Sequence, residues 1–91
     1  MAVIDKVAKE FHMKPGELLK ESLKSYLNQK LAKIESEIFI IAKKYGVKDV
    51  FEFDSRVKEG LLKEKDAYDD YFILDNLEAE REKINKILEK L

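Results

Sequence analysis

The chain has 91 residues, 41% of them charged, and a formal net charge of −1. It contains no cysteine and a single histidine, which excludes a disulfide framework, thiolate chemistry and a Cys/His zinc site. This length is typical of one domain, so we predict that residues 1–91 form a single domain.

The charged residues are mainly Lys and Glu, a bias typical of thermophile proteins and of long solvated helices. No window approaches the ~18 uncharged apolar residues of a transmembrane helix, and the first residues are charged too soon for a secretory signal. We therefore expect a cytoplasmic protein. Residues 1–48 carry ten basic and six acidic side chains, whereas residues 49–91 carry eight and thirteen. This asymmetry predicts two different partner surfaces.

The first predicted element is a short amphipathic helix over residues 3–11. Residues 12–14 form a turn, because Lys14 precedes Pro15 and is pushed out of the helical region. Lys14 is also a poor side-chain cap for the helix that follows. The apolar side chains of the short helix share one face: Val3, Ile4, Val7, Ala8 and Phe11.

The organising feature is a long helix predicted over residues 15–45. Pro15 suits a first helical position, and Gly46 supplies a stop that tolerates left-handed dihedral angles. This helix would span about 46 Å, whereas a compact domain of this size has a radius of gyration of about 12 Å. It therefore needs cover from another long helix, a partner chain or both. Its apolar seam steps mostly by four and three: Leu19, Leu23, Leu27, Leu31, Ile34, Ile38, Ile41 and Tyr45.

Residues 38–42 are apolar on every side of this helix, so one neighbouring helix cannot cover them. Two explanations are open. Either the third predicted helix covers the second face, or two copies associate as a twofold homodimer. For the homodimer, the predicted self-association residues are Leu27, Leu31, Ile34, Ile38, Phe39 and Ile41.

The third helix is predicted over residues 50–59. Asp49, followed three residues later by Glu52, resembles a capping box, and Gly60 ends the helix. Of the helix's apolar residues, Val50, Phe51, Phe53 and Val57 are candidates for burial. Residues 61–65 are interpreted as a linker anchored by Leu61 and Leu62.

The last helix is predicted over residues 66–91, beginning at an acidic cap, Asp66. At about 39 Å it nearly matches the central helix, so we predict that it folds back antiparallel along it. The predicted fold is all-α, a helical hairpin or bundle with coiled-coil-like packing. The predicted seam of the last helix is Ile73, Leu77, Glu80, Ile84, Ile87 and Leu91.

Catalytic and metal chemistry have little support in the sequence. His12 is the only imidazole, and no P-loop, HExxH or serine-triad signature is present. We therefore expect no enzyme activity, no catalytic residue and no cofactor. The acidic residues 66, 69, 70 and 75 could hold a hard cation. Their place at a helix start favours capping instead, so no metal site is expected.

Residues 66–76 interleave acidic and aromatic side chains. Aromatic residues are favoured interface anchors, and acidic neighbours would complement a basic groove. The alternative is that the aromatics fill the core, and both can hold, because Tyr68 and Phe72 share one face and Tyr71 and Leu74 the other. The predicted partner-binding residues are Tyr68, Asp69, Asp70, Tyr71, Phe72 and Asp75.

Residues 3–27, with the run ELLKESLKSYL at 17–27, resemble the two helices of a ribbon-helix-helix domain. Such domains are common at the front of antitoxins from prokaryotic type II toxin–antitoxin pairs. The resemblance implies a dimer that blocks a toxin, often a ribonuclease, with its C-terminal part. The whole chain also resembles small archaeal antitoxin-like proteins, with KYGV at 44–47 and an acidic-aromatic tail.

Ribbon-helix-helix proteins read DNA with a strand that precedes the first helix. Only two residues precede that helix here, so we do not expect this mode of base reading. What the resemblance could transfer is a phosphate contact at the start of the long helix, through Lys14, Gly16 and Lys20.

Three functions follow as hypotheses. The first is an antitoxin-like binding protein that neutralises a cognate toxin, a nuclease, by occlusion. The second is a self-associating helical scaffold. The third is a small nucleic-acid-binding module that uses the basic front, although the chain lacks a basic run.

Overall fold

The structure is a computed structural model that describes residues 2–62 and 64–91, with the backbone alone for 64–66. Over these residues the fold is all-α, as predicted. The helices are α1 (Ala2–Glu10), α2 (Pro15–Tyr45), α3 (Val50–Lys58) and α4 (Glu64–Lys90).

Helix α2 begins and ends where the sequence predicts. Lys14 precedes it in an extended conformation and makes no side-chain cap hydrogen bond. Gly46 follows it with φ 65°, and the Val47 amide donates to the Ala42 carbonyl at 2.9 Å. A left-handed residue followed by this hydrogen bond closes the last turn, and glycine adopts that conformation without steric cost.

Helices α2 and α4 pack antiparallel, as predicted. Lys44 pairs with Asp70 near the end of α2, and Lys30 pairs with Glu80 at 3.2 Å further back. The partner's number rises as the α2 number falls, which defines the antiparallel direction. Their apolar faces form one core with α3 and the residues that flank it: Ile34, Ile38, Ile41, Val47, Phe53, Ala67, Leu74, Leu77 and Ile84.

The predicted seam of α4 is wrong at two positions. Ile73 and Ile87 lie exposed, whereas Leu74 is fully buried and Leu88 packs against the core. At both positions the inward residue is the next one along the chain, about 100° further around the helix. Leu77 and Ile84 are buried as predicted. Glu80 does not enter the core; it pairs with Lys30 on a partly exposed flank.

Helix α3 packs against α4 and leaves the second face of α2 open. Phe39 and Ile40 are each 65% exposed, so the explanation that α3 covers this face is wrong. Phe53 fixes α3 instead: it is 0% exposed, and its ring lies 4.6 Å from that of Tyr45. Phe51, two residues away, is 82% exposed.

The start of α3 is capped. The Asp49 carboxylate accepts a hydrogen bond from the Glu52 amide at 2.9 Å, as predicted. The reciprocal half of the capping box is displaced by one residue, because the Glu52 carboxylate accepts from the Lys48 amide at 3.3 Å. The Glu78 carboxylate adds a third bond by accepting from the Val50 amide at 2.8 Å. This last contact ties α3 to α4.

The segment between α3 and α4 differs from the predicted linker. Leu62 packs against the core, but the Leu61 side chain is exposed and is not part of the core cluster. Helix α4 begins at Glu64, two residues before the predicted cap Asp66. The side chain of Asp66, and hence its capping role, lies outside the described residues.

The molecule is a rod of 60 × 19 × 18 Å with a radius of gyration of 19.0 Å. We call residues 2–26 the arm: they comprise α1, the turn and the front of α2. We call residues 27–91 the hairpin. The core cluster reaches no further forward than Leu27, and Ala8 is the only arm residue that the structure buries among those it describes.

Candidate protein-binding surface

The outer face of α4 carries aromatic and acidic side chains in one row. Tyr68 is 50% exposed and Phe72 is 59% exposed. Asp75 continues the row at the next helical turn, and Asp69 lies exposed beside it. We call Tyr68, Asp69, Phe72 and Asp75 the α4 strip.

Asp70 belongs to the inner side of the same helix. Its carboxylate accepts hydrogen bonds from the Tyr45 hydroxyl and, at 2.9 Å, from the Lys44 ammonium. Its side chain therefore ties α4 to the end of α2, and its contact with a partner stays a prediction. Asp70, one of the six predicted partner-binding residues, thus holds α4 against the end of α2.

Tyr71 is the other anchor. Its ring packs 5.8 Å from the buried Phe53 ring on one side and 5.6 Å from the exposed Phe72 ring on the other. Both contacts have the edge geometry that aromatic pairs prefer. Tyr71 thereby links the core to the α4 strip and limits the rotation of α4.

The hydrogen bonds around Asp70 shift three pKa values. Those from Tyr45 and Lys44 lower the pKa of the Asp70 carboxyl below its usual range. The hydrogen bond to Asp70 raises the pKa of Lys44, while burial and the same carboxylate raise the pKa of Tyr45. The carboxylate is therefore ionised, and the hydroxyl and ammonium protonated, across the neutral range.

Two depressions border the α4 strip. A small cavity of about 80 Å³ lies between α3 and α4, beside Tyr68. An open groove of about 620 Å³ runs along α4 from the start of α3, and Asp75 lies on its wall with Phe51 and Glu82. The strip therefore continues into an acidic groove with an exposed aromatic side chain at its edge.

Phe51 is a surface residue that the sequence reasoning did not assign to any site. A signal was present, because residues two apart on a helix point in nearly opposite directions. With Phe53 buried against Tyr45 and Tyr71, Phe51 must point outward.

The family model described as "Uncharacterized protein MJ0235 family" matches residues 1–91. The chain belongs to the MJ0235 family. Neither the curated proteins nor the solved structures give a match.

Five of the six predicted self-association residues of this MJ0235-family chain pack into the core of the hairpin. Ile34, Ile38 and Ile41 are buried, and Leu27 and Leu31 are partly buried against the same core. Phe39 alone is exposed, with the Lys43 ammonium 6.0 Å from its ring. Self-association through these residues stays a prediction, and Phe39 is the one whose side chain is available.

The predicted phosphate-contact residues lie together at the start of α2 in this MJ0235-family chain. Lys14, Gly16 and Lys20 are all exposed, and no side chain caps the free amides there. Glu17 is exposed in the same turn and opposes an anion.

Two further findings concern the described part of the MJ0235-family chain. Its helices include none that is both long and apolar enough to cross a membrane. No three acidic, histidine or cysteine residues in this part are grouped so that they could hold a metal ion. The Asp66 side chain, named above as a candidate ligand, lies outside it.

Proposed function

We propose that this MJ0235-family protein is a non-catalytic cytoplasmic binding protein that captures a partner protein through the α4 strip and acts by covering the partner's surface. The observation that carries the proposal is the half-exposure of Tyr68 and Phe72 between acidic side chains, on a helix anchored by Asp70 and Tyr71.

The chemistry of the strip favours a basic partner. Aromatic side chains at the centre of an interface supply much of its binding energy once they are desolvated. The sequence carries six acidic residues and one basic residue between positions 68 and 82. This local charge would speed encounter with a basic surface and disfavour acidic ones.

Anchoring also favours tight binding. A side chain loses conformational entropy when a partner immobilises it. Phe72 already packs against Tyr71, which in turn packs against Phe53, so less freedom remains to be lost. The strip is therefore preorganised as a docking surface.

If the protein is antitoxin-like, its partner is a toxic nuclease. A nuclease needs a basic groove to hold its phosphate substrate, and the acidic α4 strip would occupy that groove. Support for this antitoxin-like form of the proposal comes from the resemblance of residues 3–27 to the helices of antitoxins.

The test begins with the partner recovered by co-purification from the native source and identified by mass. Binding of the purified partner is then measured for the triple variant Tyr68→Ala, Asp69→Asn, Phe72→Ala. We expect at least a hundredfold weaker binding, with helicity by circular dichroism unchanged. The matched control replaces one exposed acid and two exposed apolar residues of α2: Glu35→Gln, Phe39→Ala and Ile40→Ala.

Unchanged binding by the triple variant, or an equal loss in the control, would reject the α4 strip as the site. The nuclease form has its own readout, which is cleavage of RNA or DNA by the partner with and without the wild-type chain. A partner that binds the strip but cleaves neither would reject the antitoxin-like form and leave the binding function standing.

A further inference from the structure

The arm exposes apolar side chains that the rest of the chain leaves uncovered. Val3 and Val7 of α1, with Phe11 in the turn that follows, are spaced four residues apart. On α2, Leu19 and Leu23 continue the core seam toward its front, and Tyr26 lies next to them. Their exposed fractions range from 40% to 76%. The six residues are Val3, Val7, Phe11, Leu19, Leu23 and Tyr26.

The cause is the register of α2 against α4. Lys44 lies beside Asp70 and Lys30 beside Glu80, so α4 reaches only the region around Leu23 when it ends at Lys90. Leu19 and Leu23 are each 42% exposed there, although they belong to the same seam as the buried Ile34. The seam extends further along α2 than the helix that covers it.

We infer that the arm is the surface through which two copies of this chain form a homodimer, arm against arm. This places the contact in residues 3–26 rather than in the seam residues 27–41, which the hairpin uses internally. The inference does not depend on the proposed function, because the α4 strip lies in the hairpin.

The exposed area is sufficient for a stable contact. With roughly 150–210 Å² for a fully exposed residue of these types, the six residues present about 600 Å² per copy. Two arms would then bury about 1,200 Å², the lower limit for a specific interface. Flanking polar residues would add to this area.

The charges favour arm against arm over strip against strip. Residues 2–26 carry five basic and four acidic side chains, so two arms repel each other little. The acidic residues at 68–82 would repel their own copies. A twofold contact also uses the same patch on both copies, so it closes and leaves no arm uncovered.

The first test measures the mass of the full chain by sedimentation equilibrium from low to high micromolar concentration. We expect a mass approaching twice the 10.7 kDa of one chain. For the double variant Phe11→Asp, Leu23→Asp, the dissociation constant of the dimer should be about 30-fold higher or more. The control Phe39→Asp, Ile40→Asp, equally apolar and exposed in the hairpin, should remain dimeric.

The second test does not depend on disruptive variants. Because the chain has no cysteine, a single introduced one reports only its own surroundings. Under mild oxidation, Leu23→Cys and Phe11→Cys should form covalent dimers at least tenfold faster than Ile40→Cys. A mixture of Leu23→Cys and Phe72→Cys chains should form few mixed disulfides.

A wild-type chain that stays monomeric at high micromolar concentration would overturn the inference. So would a dimer that the arm variants leave intact, or preferential mixed disulfides, which would place the arm on the α4 strip. Failure of either test leaves capture by the α4 strip unaffected, because that is measured with a different partner.

Discussion

The arm and the hairpin are built on the same helix and differ in what lies opposite it. Helix α2 carries one apolar seam through both regions, yet Ile34, Ile38 and Ile41 are buried while Leu19 and Leu23 are not. The sequence of α2 does not account for this difference. Burial is decided by the second helix, since α4 covers the seam only where it runs alongside.

The starts of the helices show the same contrast: a stabilising contact is present in the hairpin and missing in the arm. Helix α3, in the hairpin, begins with a side-chain cap from Asp49, whereas α2 begins in the arm at Lys14 without one. A capped start satisfies amide groups that would otherwise rely on water. The local structure of the hairpin is therefore fixed by more contacts within the chain than that of the arm. Three experiments would test this contrast.

The largest expected effect comes from phenylalanine truncation. Phe53→Ala should lower the free energy of unfolding by about 3–5 kcal/mol, because it empties a fully buried site between Tyr45 and Tyr71. Phe11→Ala in the arm should change it by less than about 0.5 kcal/mol. Urea denaturation at a concentration low enough to keep the chain monomeric measures both.

Phe51→Ala is the control within α3, since it removes the same side chain from an exposed position. It should resemble Phe11→Ala. Equal losses at Phe53 and Phe11 would break the contrast, because they would show an arm packed as firmly as the hairpin.

An intermediate effect is expected at the helix starts. Asp49→Ala removes the acceptor of the Glu52 amide and should lower the free energy of unfolding by about 1 kcal/mol. Lys14→Ala occupies the corresponding position before α2 and should leave it within about 0.5 kcal/mol. Thermal and urea unfolding measure both. A larger loss for Lys14→Ala would contradict the cap assignment.

The smallest expected effect is on the stability of the fold at acidic pH. The folded pKa of Asp70 lies below its unfolded value, so the folded chain binds fewer protons in that range. Its contribution to stability is present above the unfolded pKa, at roughly pH 4, and is lost as the pH falls through the folded pKa. Asp70→Asn should therefore lower stability at neutral pH and flatten the acid limb of the stability curve.

Tyr45→Phe should flatten that limb in part, because the Tyr45 hydroxyl is the main cause of the lowered pKa of Asp70. If urea titrations at several pH values gave parallel curves for wild type and Asp70→Asn, the tie between α4 and the end of α2 would be of no energetic importance.

The bounds of α2 and the start of α3 were predictable because they depend on local backbone chemistry. Pro15 fixes the first position of α2, and Gly46 adopts the left-handed conformation that ends it. Asp49 acts within three residues. The antiparallel packing was predictable for another reason: two long helices of similar length have few other ways to bury their seams.

The inward row of α4 was not predictable from periodicity. The rows with Ile73 and Ile87, and with Leu74 and Leu88, share Leu77, Ile84 and Leu91, so both step by three and four. The choice between them depends on contacts distant in sequence, above all the packing of Tyr71 on Phe53.

The division of the candidate site between two faces of α4 was predictable, but the contacts that hold α4 in place were not. Helical spacing alone separates Tyr68 and Phe72 from Tyr71 and Leu74, and the structure shows this division. The commitment of Asp70 to Lys44 and Tyr45 spans 25 or more residues and has no local signature. The exposure of Phe39 and Ile40 likewise follows from where α3 docks.

The unbroken course of α2 has a consequence for avidity. From the arm to the level of the α4 strip the helix runs about 35 Å without interruption, so it acts as a rigid spacer. Two chains joined at their arms would present two docking surfaces on one particle, each held well clear of the joint. Against a partner that is itself paired, the second capture would be intramolecular, and overall affinity would exceed that of one site without any new contact.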